Sequence, residues 1–252
     1  MNIVSYGGGT DSTAMLIECA KRGIKIDLIL FADTGGEKPH TYEYIKLFNQ
    51  WLIDNGMPEI TIVKAIKKDG SIHTLERDCS EQNMLPSLAY GFKSCSQKFK
   101  ISPQNKYVNN WPKTKEYLKA GNKIIKFIGY DAGEDRRAKP YEDDKYINYY
   151  PLVEWDIDRD QCIEIIKDAG LPLPGKSACF FCPSSKPHEV KNLMLQYPDL
   201  AKRAIQMEKN ADLTSIKGLG RNWSWGALLA TDDMFNDEPI HCIEIDCGCY
   251  DG

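Results

Sequence analysis

Short apolar runs recur along the first half of the chain, and segments with apolar residues at helical spacing separate them. Residues 2–6 read as a strand, and residues 11–22 follow as a helix carrying Met15, Leu16, Ile17 and Cys19. A second strand is expected at 26–31, a helix from about 41 to 55, a third strand at 59–63, and a further strand at 123–129. Strands of this length alternating with helices predict an α/β fold: a parallel, twisted, Rossmann-like sheet with helices on both faces. In such a sheet a ligand sits beyond the carboxyl ends of the strands, so the loops after Tyr6, Phe31 and Ile128 should open onto one crevice.

Past residue 150 the pattern changes. Pro151-Leu152-Val153-Glu154-Trp155 precedes a helix expected from Asp158 to Ala169 and closed by Gly170. Leu171-Pro172-Leu173-Pro174-Gly175 then leads to Cys179-Phe180-Phe181-Cys182-Pro183, helices at about 187–196 and 198–210, and a tail expected to be irregular. The reading divides the chain into an α/β domain at 1–170 and a small cysteine-containing helical part at 171–252. No internal repeat or low-complexity segment stands out.

The first strand breaks into Gly7-Gly8-Gly9-Thr10-Asp11-Ser12-Thr13 before entering its helix. Glycines let successive backbone N–H groups turn inward, the helix N-terminus adds partial positive charge, and hydroxyls add donors, so the loop suits phosphate or pyrophosphate. No Gly-Lys-Ser/Thr closes the glycine run, and the glycine spacing is not that of the dinucleotide fingerprint, which excludes both common nucleotide loops. The second strand ends in Asp33-Thr34-Gly35, where the bland alternative is a helix cap. The loop after the strand at 123–129 carries Gly129, Arg136 and Arg137; paired guanidinium forks suit phosphate or sulfate oxygens, and a surface ion pair is the competing reading.

The chain has 252 residues, enough to bury a full core, with 27% charged and 42% hydrophobic residues. No apolar run reaches the length of a membrane span, and no signal peptide is read ahead of the first strand, so a cytoplasmic protein with no membrane association is expected. The nine cysteines then suggest metal binding or redox chemistry rather than disulfides. Cys19 and Cys162 lie in helical apolar patterns and read as packed core thiols. A net charge of −4 gives no overall basic field, but residues 93–126 carry Lys93, Lys98, Lys100, Lys106, Lys113, Lys115 and Lys119. That stretch is either a solvated face or a surface for nucleic acid or an anionic substrate.

Gly8-Gly9-Thr10-Asp11-Ser12 resembles the Ser-Gly-Gly-x-Asp-Ser signature of the PP-loop ATP pyrophosphatases, with Gly7 where that family has serine. Asp33-Thr34-Gly35 resembles the corresponding loop of phosphoadenosine-phosphosulfate (PAPS) reductases, and the segment from Gly129 to Arg137 is similar to that family's arginine-containing loop. Cys95 through Pro103 and Cys179-x-x-Cys182 resemble the two halves of the cluster site in adenylylsulfate (APS) reductases, with Ser96 in place of the second adjacent cysteine. The ending Asp246-Cys247-Gly248-Cys249 is similar to the reductases' catalytic tail, where Cys249-Tyr250 departs from leucine and histidine.

The chain thus resembles the PAPS reductase-like branch of the PP-loop, adenine nucleotide alpha hydrolase-like superfamily over roughly residues 1–185 and the tail. The resemblance implies adenine-nucleotide binding by Gly7, Gly8, Gly9, Thr10, Asp11, Ser12, Asp33, Thr34, Gly35 and Gly129. It further implies catalytic roles for Asp11, Ser12, Arg136, Arg137 and Cys247, and metal ligation by Cys95, Cys179 and Cys182. The cofactors implied are ATP, or PAPS or APS, with Mg2+ and a [4Fe-4S] cluster or, alternatively, Zn2+. The remaining cluster position is open to Cys79, a tail cysteine or a non-protein ligand, or to nothing if no cluster forms.

The intact loop favours an ATP pyrophosphatase acting at the α-phosphate and coupled to sulfur transfer, similar to the DNA phosphorothioation ATPase or the cluster-dependent tRNA thiolases. The alternatives are a PAPS or APS reductase releasing sulfite with Cys247 as nucleophile, and a non-catalytic nucleotide-binding module. Partners on this reading are a sulfur donor or thiol reductant, with a nucleic-acid acceptor and a homodimer both left open.

Overall fold

The computed structural model describes residues 1–86 and 93–232. The apolar runs join as one five-stranded sheet in which β1 (Asn2–Tyr6) lies at the centre. β2 (Leu28–Asp33) and then β3 (Ile60–Lys64) lie on one side, with β4 (Ile124–Ile128) and then β5 (Tyr146–Tyr149) on the other. Every pairing is parallel, with Val4 opposite both Ile29 and Phe127. The expected parallel α/β architecture is therefore present. The sheet order 3-2-1-4-5 reverses at β1, and the β1–β4 boundary is the switch point where α/β sheets open a crevice.

Helices cover both faces of the sheet. On one face Val4, Tyr6, Ile29 and Phe31 pack with α1 (Thr10–Lys21), α2 (Pro39–Asp54), the short α7 (Pro151–Glu154) and α8 (Arg159–Asp168). On the other, Ile3, Leu28, Leu30 and Ala32 meet α5 (Ser102–Asn110) through Val108, and Tyr117 and Leu118 of α6 (Pro112–Lys119) pack against them. β2 is buried at all six positions, which is why its first five residues are a continuous apolar run rather than an alternating one. Cys19 and Cys162 are both fully buried in the first of these clusters, as packing thiols.

A third cluster lies apart from the sheet and gathers Phe180 and Phe181 with α3 (Leu75–Glu81), α9 (Pro187–Gln196), α10 (Pro198–Asn210) and α11 (Trp225–Asp232). α11 corrects the expectation of an irregular tail. Its start is fixed by Glu208 of α10, whose carboxylate accepts hydrogen bonds from the Leu219, Trp225 and Gly226 amides and from Ser224 Oγ. These bonds span 11 to 18 residues and leave no mark on local periodicity. Residues 94–101, comprising the single turn α4 (Ser94–Ser96) and a π-type turn at Gln97–Ile101, run into α5 and likewise add helix where none was read. Among the described residues no helix is long and apolar enough to cross a membrane.

Lys126 on β4 lies beneath Tyr146, 4.1 Å from its ring centre, and donates to Asn105 Oδ1 at 2.6 Å. Burial lowers its pKa from 10.5 to about 8, with Asp143 opposing the shift. The unfolded chain therefore keeps this proton between pH 8 and 10.5 while the folded chain has released it, so the residue makes stability rise with pH across that window. Lys126→Met is expected to raise stability at pH 7 and to remove that rise. Urea unfolding of the two proteins from pH 7 to 10.5 checks this, and a constant difference between their curves would refute it.

Candidate functional site

The β1–α1 loop is braced from within. Gly8 has φ +77°, a left-handed conformation that favours glycine. The Gly7 amide donates to Ser12 Oγ at 3.2 Å, and Ser12 Oγ and Thr13 Oγ1 donate to the Gly9 carbonyl at 3.4 and 2.7 Å. Ser12 and Thr13 are fully buried, and Thr10 and Asp11 nearly so. The Ser12 hydroxyl thus holds the shape of the loop, and from outside Ser177 Oγ donates to the Gly7 carbonyl.

Asp11 is engaged by a residue that no sequence motif singles out. Arg159, the first residue of α8, donates to Asp11 Oδ1 at 2.6 Å. Burial disfavours the Arg159 charge, yet Asp11 beside it, together with Asp131, holds the guanidinium above its ordinary range. The signal that existed was the Asp158–Gln161 capping box, which fixes where α8 begins but says nothing of what its first side chain meets.

At the end of β4, Gly129 passes directly over the start of α1. A Cβ built there would lie 2.7 Å from Ser12 Cα and 2.8 Å from Ser12 N, so any side chain would displace backbone. Of the arginines read from this loop, Arg136 is exposed. Arg137 is half-buried, 4.3 Å from the Tyr130 ring centre and paired with Glu134.

The β2–α2 loop is equally constrained. Asp33 Oδ1 accepts from the Gly35 amide at 2.8 Å and from Tyr42 OH at 2.7 Å, and Lys64 Nζ lies 3.1 Å from Oδ2. Gly35 has φ +75°, and a Cβ there would overlap Thr74 Cγ2 at 2.4 Å. Thr34 Oγ1 lies 3.1 Å from Cys179 Sγ, and the Phe180 amide donates to the Gly36 carbonyl at 2.8 Å. The loop predicted to meet a nucleotide and the Cys-x-x-Cys segment are therefore in direct contact.

Between them sits Glu37, whose side chain is fully buried. Its Oε1 lies 3.8 Å from Lys100 Nζ and 3.9 Å from Cys179 Sγ, and its Oε2 has no hydrogen-bond partner. Burial raises the pKa of this carboxyl, with Lys100 opposing. Glu37 and Lys100 were not singled out as site residues in the sequence.

The structure brings Cys95, Cys179 and Cys182 to one apolar cluster, and Cys79 joins them. The Cys182 amide donates to the Cys179 carbonyl at 3.0 Å, which closes a tight turn. Burial, then Glu37, push the Cys179 thiol well up; burial, then Asp78 and Cys95, push Cys79 up to about 12. Among the described residues, no three His, Cys, Asp or Glu side chains form a group placed to hold a metal ion. In chemistry the four thiols are a soft donor set of the kind that takes iron or zinc. Cys247 lies outside the described residues.

Neither the protein-family models nor the curated proteins searched include a match to this chain.

Gly129→Ala is expected to lower stability by about 2 kcal/mol, because backbone rather than a flexible side-chain end must yield. An unchanged urea midpoint would show that the two backbones do not meet there.

Proposed function

We propose that the chain binds ATP across the carboxyl ends of β1, β2 and β4, cleaves it between the α- and β-phosphates, and couples that activation to sulfur transfer. The observation that carries the reading is the contact between the Asp33-Thr34-Gly35 loop and Cys179, at 3.1 Å from Thr34 Oγ1 to Sγ. Two chemistries that the sequence lists separately, an anion cradle and a set of soft thiols, thus adjoin one loop.

In this reading the loop of Gly7, Gly8 and Gly9 and the start of α1 receive the leaving pyrophosphate, where backbone N–H groups and the helix dipole favour negative charge. Ser12 keeps the cradle in shape, and Asp11, fixed by Arg159, is the carboxylate that would hold Mg2+. A substrate oxygen attacks the α-phosphorus as the bond to the bridging oxygen breaks and pyrophosphate departs. A sulfide-level donor then displaces AMP, a substitution with no net oxidation or reduction. Arg159, with Arg136 and Arg137, supplies positive charge on the side of the crevice formed by β4 and α8. Positioning and charge compensation carry most of such a transfer.

Cys95, Cys179 and Cys182, with Cys79 beside them, are the residues that would hold an iron–sulfur cluster or zinc. Such a group, when bound, supplies a sulfur-binding Lewis acid.

Asp11→Ala should weaken ATP far more than AMP in calorimetric titration; equal losses would remove the pyrophosphate from the loop. Wild type should release pyrophosphate from ATP and no sulfite from PAPS or APS. Thiol-dependent sulfite release that is lost in Cys247→Ser would replace this reading with a sulfonucleotide reductase.

Serine substitution at Cys95, Cys179 or Cys182 should each lower the iron or zinc content of anaerobically purified protein. Metal content unaffected by all three would separate the thiols from metal binding.

A further inference from the structure

The lysine-rich stretch seen in the sequence forms part of a cavity wall. Between edge strand β3 and the α5–α6 turn lies a cavity of about 940 Å3. Ile62, Ile66 and Ile72 line it and are 51%, 45% and 50% exposed, an unusual exposure for three isoleucines in one place. Tyr107 and Trp111 add aromatic surface, and Lys64 and Lys106 add cations. Over residues 102–120, Lys106, Lys113, Lys115 and Lys119 face a single acid, Glu116, on a chain whose net charge is −4. No ion pair engages any of these four lysines among the described residues, and Lys113 Nζ lies 5.4 Å from the Trp111 ring centre.

The cavity is separate from the nucleotide crevice, since no residue of the β1–α1 loop or of the loop after β4 lines it. The two regions meet at Asp33, which lines the cavity, and Thr34, the next residue, touches Cys179. A ligand seated here would therefore meet the neighbour of the residue that touches Cys179.

We propose that this cavity receives an unpaired base of a single-stranded nucleic acid, with the base against Tyr107 and Trp111 and the phosphates along the lysines of α5 and α6. Isoleucines alone would suit any apolar guest. Lys64 is paired with Asp33, but aromatic faces beside Lys106, which has no ion pair among the described residues, select a flat ring on a polyanion, the combination by which single strands are held. A duplex keeps its bases stacked and cannot offer one. The role of this strand as acceptor rests on the sulfur-transfer reading above, whereas its binding does not.

The test is fluorescence anisotropy with a short labelled single strand, as DNA and as RNA, across a range of salt. Wild type should bind one or both, more weakly as salt rises, with quenching of tryptophan fluorescence. Tyr107→Ala should weaken binding about tenfold, and Lys106→Glu should weaken it and flatten the salt dependence by about one ion. Both side chains are exposed, so both variants should melt as wild type does and keep wild-type affinity for ATP. The inference is overturned if no strand binds, if a duplex binds as tightly, or if either variant binds like wild type. It is also overturned if ATP displaces the strand competitively, which would make the cavity an adenine pocket, or if Tyr107→Ala abolishes self-association, which would seat a second copy there. Strand binding without pyrophosphate release would sink the ATP reading alone, and pyrophosphate release without strand binding would sink this inference alone.

Discussion

The close passage of Gly129 over Ser12 is the constraint on which the rest of the structure depends. β4 pairs with β1, and its end must leave the sheet over the first turn of α1, where the separation of a Cβ from backbone would be 2.7 Å. Only a residue without a side chain permits this approach. With it, the loop after β1, the residues after β4 and the first turn of α8 converge, and Arg159 reaches Asp11. Without it, the switch point of the sheet would be wedged apart and the charges on either side would lose one another.

The fold was legible because its cause is local and repeated. β2 is a six-residue buried stretch between glycine- and proline-containing loops, and α8 announces itself by Asp158, Gln161 and Gly170. Elements were missed where the cause is distant or the segment is short. β5 has four residues on a sheet edge, too few for an alternation to register, and α11 depends on a carboxylate in another helix. The site divides in the same way. Glycines and hydroxyls of the β1–α1 loop act through the backbone next to them and could be read from order alone. Arg159, Glu37 and Lys100 act through partners brought by packing, 148 residues away for Arg159, and order alone does not show them.

Glu37 illustrates how the site differs from the core around it. A fully buried carboxylate with one oxygen unpartnered opposes folding unless it stays protonated or gains a partner, and Lys100 at 3.8 Å compensates only in part. The cost falls between the β2–α2 loop and the thiols, where a chain selected only for stability would place an amide or an aliphatic group. Strain in polar accounting of this kind gathers at functional positions.

The bonds that tie residues 177–180 to the loops of β1 and β2 also set an order of assembly. Ser177 reaches Gly7 across 170 residues and Cys179 reaches Thr34 across 145. During synthesis the sheet strands from β1 to β5 leave the ribosome well before the segment that closes their crevice, and contacts of such separation form late because loop closure precedes any gain. A nascent chain halted before residue 177 would therefore expose the β1–α1 loop with its outer brace missing, before the 179–182 turn exists to close on the β2–α2 loop.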